Sequence, residues 1–148
     1  MKIIVTGSSG FLGKSLCAYL NEAGHELTEL NSKNCDLRQA NSLEAFSGDK
    51  FDYLIPPAAW TQAGDFCLRH PGEQWIINQQ INTHILAWWA DSQPQAKLIF
   101  MGTSCVYAPD GGLRESEYML GEPIESLYTY AMTKRMLFQG ARALSSQY

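Results

Sequence analysis

The sequence has only four cysteines in 148 residues, Cys17, Cys35, Cys67 and Cys105, and no two of them form a Cys-x-x-Cys pair. Spacing of that kind gives no support to a zinc site and still less to a disulfide scaffold, so no metal is expected. No apolar run approaches the ~20 residues that would cross a bilayer, and Met1–Thr6 is too short to be a signal peptide. A soluble, cytoplasmic chain without a membrane partner is the expectation. Positive charge is also scarce: 11 Lys and Arg against 15 Asp and Glu leave a net charge of −4. That balance argues against a nucleic-acid partner but leaves room for a local cationic pocket that takes a nucleotide. With 45% apolar and 18% charged residues, neither a disordered tail nor a coiled coil fits. No internal repeat and no low-complexity tract interrupts the chain. What remains is one domain with its own hydrophobic core.

Strand and helix patterns alternate along that domain. Lys2–Thr6 is a β-branched run ended by Gly7, which predicts a short buried strand. Residues 10–23 follow with helical spacing, with Phe11, Leu12, Leu16, Tyr19, Leu20 and Ala23 read as one side and Gly24 as the stop. Further strands are predicted at His25–Leu30, around Cys35–Leu37, at Phe51–Pro56 and at Lys97–Met101, with a small helix from Asn41 or Ser42 to Phe46. A longer helix spans 73–91 on the repeat of Ile77, Ile81, Ile85 and Trp88, and another spans 127–145. Residues 108–123, rich in Pro, Gly, Asp and Glu, read as a functional loop. Such alternation predicts an α/β fold: a Rossmann-like, doubly wound parallel sheet of four strands and one short one, with helices on both faces.

The first strand-to-helix junction is Gly7-Ser8-Ser9-Gly10-Phe11-Leu12-Gly13. Its three glycines allow a tight turn, let a pyrophosphate approach the backbone and let the helix pack close to the strand. The helix-start amides can then bind phosphate. An ordinary glycine turn is the alternative; the position at the first βα junction favours the dinucleotide reading. The end of the second strand carries Asn31, where an Asp or Glu would favour NAD, with Lys33 and Lys14 nearby. The missing acid points towards NADP, with NAD kept open, although both lysines also read as surface residues. Asp36-Leu37 stands where a neighbouring strand would end beside the adenine, or else Asp36 caps a turn.

Tyr130 and Lys134 fall on adjacent turns of one helix face. A phenol titrates near ~10, and a nearby ammonium lowers that value enough for proton exchange with an alcohol or carbonyl. Thr103 or Ser104, just after the Lys97–Met101 strand, supplies a hydroxyl for the substrate oxygen. Cys105 beside them reads either as a thiol that moves a proton next to a carbonyl or as a small buried side chain.

Together these motifs resemble the extended short-chain dehydrogenase/reductase family, the NAD-dependent epimerases and dehydratases of nucleotide sugars, and within it the GDP-L-fucose synthase subfamily. Thr6-Gly7-Ser8-Ser9-Gly10-Phe11-Leu12-Gly13 matches the cofactor turn, Asp36-Leu37 the adenine-contacting pair, Pro57-Ala58-Ala59 the segment lining the cofactor, and Asn78 the helix asparagine. Thr103, Tyr130 and Lys134 match the catalytic Ser/Thr, Tyr and Lys. Ser104-Cys105-Val106-Tyr107-Ala108-Pro109 and Glu115-Ser116-Glu117 carry the subfamily likeness. The resemblance implies an epimerase/reductase acting on a nucleotide sugar such as GDP-4-keto-6-deoxymannose. In it Tyr130 with NADP reduces the ketone and Cys105 is the epimerisation acid/base.

Three departures accompany the likeness. Thr103 replaces the usual serine, Pro56-Pro57 is unusual in a central strand, and none of His25, His70 or His84 matches the subfamily's histidine partner for the cysteine. Members of the family are about twice as long, which implies that residues 1–148 form the cofactor-binding part without the later strands and the substrate domain. A non-catalytic dinucleotide-binding module, and a dehydratase or plain reductase of the same superfamily, are the competing readings. An open edge at Lys97–Met101 would be covered by a homo-oligomer, a partner chain or rearranged residues.

Overall fold

The computed structural model describes residues 1–62 and 65–147. Two compact units make up the chain: Met1–Ala59 with Gln80–Met101, and Trp60–Gln79 with Gly102–Gln147.

The first unit is the sheet. Strands β1 (Lys2–Val5), β2 (Glu26–Glu29), β3 (Tyr53–Ile55) and β4 (Lys97–Leu98) are all parallel, in the order β2-β1-β3-β4. Register runs Ile3↔Leu27 on one side of β1 and Ile3↔Tyr53 on the other, and Leu54↔Leu98 between β3 and β4. The order reverses at β1: the chain steps outward to β2, then returns to the opposite side. In open parallel sheets that switch point, at the carboxyl ends of the strands, is where ligands gather. Here it brings the turn after β1 against the segment after β3.

Helix α1 (Phe11–Glu22) covers β1 with Gly13 and Cys17 buried and Leu16 and Leu20 packed on the cluster of Ile3, Val5, Cys17 and Ile55. This corrects the expected apolar side: Phe11 is 98% and Tyr19 69% exposed. The 3.6-residue period puts 13, 16, 17 and 20 on one face and turns 11 and 19 away. Ile81, Ile85 and Trp88 of helix α3 (Pro71–Ser92) are buried as their repeat predicts. Phe51 meets Trp88 with ring centroids 6.3 Å apart. Buried Gln93 accepts from Phe51 N at 3.2 Å and donates to the Asp49 carbonyl at 2.8 Å, fixing the entry to β3.

Three strand expectations are corrected. Cys35–Leu37 forms no strand, so the sheet has four. Cys35 N donates to the Asn31 carbonyl at 2.8 Å, Asn31 N to Asn34 Oδ1 at 2.8 Å, and Arg38 N to Asp36 Oδ1 at 3.1 Å. Asn and Asp side chains thus offer the backbone nearer partners than a neighbouring strand. Strand β3 stops at Ile55, ahead of Pro56-Pro57, because proline has no amide for the ladder. Ladder pairing at β4 covers only Lys97–Leu98, short of the expected 97–101. The expected small helix is a 3₁₀ turn at Glu44–Phe46.

The second unit holds helix α2 (Phe66–Arg69), the first part of α3, 3₁₀ turns at Ser104–Val106, Glu115–Glu117 and Glu125–Leu127, and helix α4 (Tyr128–Gln147). The short α2 went unforeseen. Helix α4 buries Ala131 and Leu137 but also Thr133, Lys134 and Arg135, a face too polar to be only core.

Candidate active site

In the first unit, Gly7 adopts φ +62, a left-handed conformation that glycine reaches without steric cost. A Cβ there would stand 2.8 Å from the Ala58 amide nitrogen, so the turn and the Pro57–Ala59 segment touch backbone to backbone. A Cβ on Gly13 would overlap the Gly7 carbonyl oxygen, whereas one on Gly10 would lie 3.2 Å from it. Gly10 N donates to that same carbonyl at 3.0 Å. At the start of α1, Gly10 supplies no side-chain cap to the first-turn amides of Phe11, Leu12 and Gly13. Ser9, Phe11 and Leu12 face solvent around them. This uncapped, glycine-floored helix start fits the pyrophosphate of a dinucleotide.

The adenosine-side residues are organised by short local bonds. Asn31 Oδ1 accepts from Lys33 N at 3.0 Å, leaving the Lys33 side chain exposed. Asp36 is gripped by Arg38, with Nε at 2.9 Å from Oδ1 and the terminal nitrogen at 2.7 Å from Oδ2. That guanidinium holds the Asp36 carboxyl below the usual carboxylate range. Leu37 is buried, and its carbonyl lies 2.8 Å from His84 Nδ1. Sequence reading missed Arg38, for which a charge two residues after Asp36 was a readable signal; His84, read as structural or surface, makes this structural contact with Leu37.

In the second unit, Asn78 is buried and its amide is spent on backbone: Oδ1 accepts from Trp60 N, and Nδ2 donates to the carbonyls of Trp60 and Gln74, all at 2.9 Å. Asn78 therefore braces the chain after Pro57–Ala59. Gln74, fully buried one turn earlier, donates to Cys67 Sγ at 2.8 Å and was also missed.

Thr103 caps the Ser104–Val106 turn, its hydroxyl accepting from Cys105 N at 3.3 Å. Cys105 is half-buried. Tyr130 and Lys134 sit on α4 as the spacing predicts, with Lys134 Nζ 6.0 Å from the Tyr130 ring centroid. Burial, and after it Cys105 and Cys67, push the Tyr130 phenol up rather than down. The expected lowering by Lys134 is not found: its ammonium lies over the ring, and burial dominates at the phenol. Burial lowers the Lys134 ammonium, which is 4% exposed and makes no hydrogen bond or ion pair with any described residue. A buried lysine with unused donors fits the ribose hydroxyls of a nicotinamide nucleotide. Among the described residues, no group of three or more His, Cys, Asp or Glu stands ready to hold a metal, and no helix is long and apolar enough to cross a membrane.

A family model for the NAD dependent epimerase/dehydratase family matches residues 3–148. GDP-L-colitose synthase of Yersinia pseudotuberculosis is 27% identical over 137 residues, covering 90% of this chain and 44% of that protein. GDP-L-fucose synthase 1 of Arabidopsis thaliana is 32% identical over 108 residues, covering 72% of this chain and 33% of that protein. Among solved structures, a GDP-L-fucose synthetase of Naegleria fowleri bound to NADP superposes with a TM-score of 0.83 at 26% identity, over 99% of this chain and 44% of that one. The chain thus spans less than half the length of these relatives.

Proposed function

Because this chain belongs to the NAD dependent epimerase/dehydratase family, we propose that it acts as an NADP-dependent nucleotide-sugar epimerase/reductase, with a GDP-linked 4-keto-6-deoxyhexose as substrate. One observation carries the reading: the buried Lys134, with no hydrogen bond or ion pair to a described residue, stands one turn from Tyr130 in a chain that also has an uncapped glycine turn. Lys134 would donate to the nicotinamide ribose. The amides after Gly10 take the pyrophosphate, while Asp36 and Leu37 face the adenine. Lys33 supplies a cation for the 2′-phosphate in place of a ribose-binding acid. Bound NADPH would supply a hydride to the carbonyl carbon. Tyr130 gives the carbonyl oxygen its proton and Thr103 holds that oxygen, so that with this hydride the ketone becomes an alcohol. Cys105 removes the proton on the carbon beside the carbonyl, and reprotonation from the opposite face of that carbon inverts the centre. Consumption of NADPH with GDP-4-keto-6-deoxymannose tests the proposal. Turnover that disappears in Tyr130→Phe supports it, and turnover unchanged by that substitution refutes the assignment.

A second reading is reduction without epimerisation, in which Cys105 is only a small, half-buried thiol. A Cys105→Ala variant that keeps full reductive turnover favours this reading. We also propose that the protein associates as a homo-oligomer, which sedimentation of this chain would show as a mass above 16.6 kDa.

A further inference from the structure

Arg135 follows Lys134 on α4, yet its guanidinium is buried at 6% exposure with no carboxylate beside it among the described residues. It donates to three backbone carbonyls: Val106 at 2.6 Å, Leu120 at 2.7 Å and Gly121 at 2.8 Å. The same terminal nitrogen serves Val106 and Leu120. These acceptors are the last residue of the 3₁₀ turn that carries Cys105 and the far end of the loop that follows it. Gly121 presents its carbonyl from φ +63, and a Cβ there would come within 2.8 Å of Ala108 Cβ. Between these two ends, Tyr118 packs edge-on to both Tyr107 and Phe138, with centroids 5.8 and 5.2 Å apart.

A positive charge held by carbonyl dipoles alone is a costly way to stabilise a core, because apolar side chains of similar size do as well without desolvating an ion. What the planar fork provides is directional reach to several fixed acceptors, which the compact ammonium of lysine lacks. We propose that Arg135 is a positioning residue that locks the Ser104–Val106 turn to α4, fixing Cys105 relative to Tyr130 and Lys134. That Cys105 is a reacting thiol rests on the function proposed above; the brace does not, and its test needs no turnover.

The test is the rate of Cys105 alkylation by iodoacetamide in the full chain, read by peptide mass spectrometry, with Cys67 as an internal reference that Arg135 does not touch. Variants Arg135→Met and Arg135→Lys are compared with wild type. Released from its brace, Cys105 reacts roughly tenfold faster or more, as expected on losing charge-assisted hydrogen bonds, while Cys67 stays within about twofold. Arg135→Lys, which keeps charge and length, decides the matter if Arg135→Met fails to fold. Cys105 and Cys67 accelerating together in Arg135→Lys, or neither changing, would overturn the proposal.

Discussion

Asn78 grips Trp60 at both ends of one residue: its amide accepts from the Trp60 N–H and donates to the Trp60 carbonyl, each at 2.9 Å. With its remaining donor on the Gln74 carbonyl, the side chain has both N–H groups in use. Asn78→Ala removes all three bonds and is expected to cost about 2 kcal/mol or more. Asn78→Asp, which turns a buried carboxylate oxygen towards the Trp60 and Gln74 carbonyls, costs at least as much. Urea midpoints at constant m-value check the order.

Gly13 and Gly10 make a graded pair. Gly13→Ala forces a methyl into the Gly7 carbonyl and is expected to destabilise by about 1–3 kcal/mol and to weaken NADPH binding at least tenfold. At Gly10 the added carbon would be 3.2 Å from that oxygen, so Gly10→Ala is milder on both measures. Thermal denaturation and a fluorescence titration with NADPH read the two effects.

Asn31 uses its oxygen to accept from Lys33 N, a role that an aspartate fills equally well. Asn31→Asp therefore keeps the turn while adding the ribose-binding acid that favours NAD. The ratio of NADH to NADPH dissociation constants is expected to fall about tenfold, or ~1.4 kcal/mol.

Lys134 sets stability against use. Burial lowers its pKa in the folded chain from the ordinary value of 10.5, so at neutral pH the unfolded state holds the lysine proton more tightly. Wild-type stability from this group therefore rises with pH between the lowered folded value and 10.5. Lys134→Met is expected to stabilise by on the order of 1 kcal/mol at pH 7, with the gain fading as pH approaches the lysine range. NADPH affinity should drop in the same variant, the trade expected when a strained group is kept for function.

Much of this was readable from local pattern. The β-branched run before Gly7, the glycine spacing and the Tyr130/Lys134 pair each depend on residues close in sequence, and the structure puts them on the expected elements. Cys35–Leu37 was misread because its apolar ends suggested a strand, while Asn31, Asn34 and Asp36 satisfy the backbone locally. Phe11 was assigned to the buried side by composition although its phase on the helix points outward. Arg135 and Gln74 were invisible for a different reason. Each serves a carbonyl or thiol 7 to 29 residues away, and no spacing rule reports a contact made only after the chain has folded.

The most direct measurement of the central claim is deuterium transfer from NADPH labelled at C4 of the nicotinamide to GDP-4-keto-6-deoxymannose, at enzyme concentration in excess of substrate. The account predicts a sugar product heavier by one deuterium with the wild-type chain and no labelled product with Tyr130→Phe, which should still bind NADPH. Absence of label with the wild-type chain, or equal labelling in the two proteins, would contradict it.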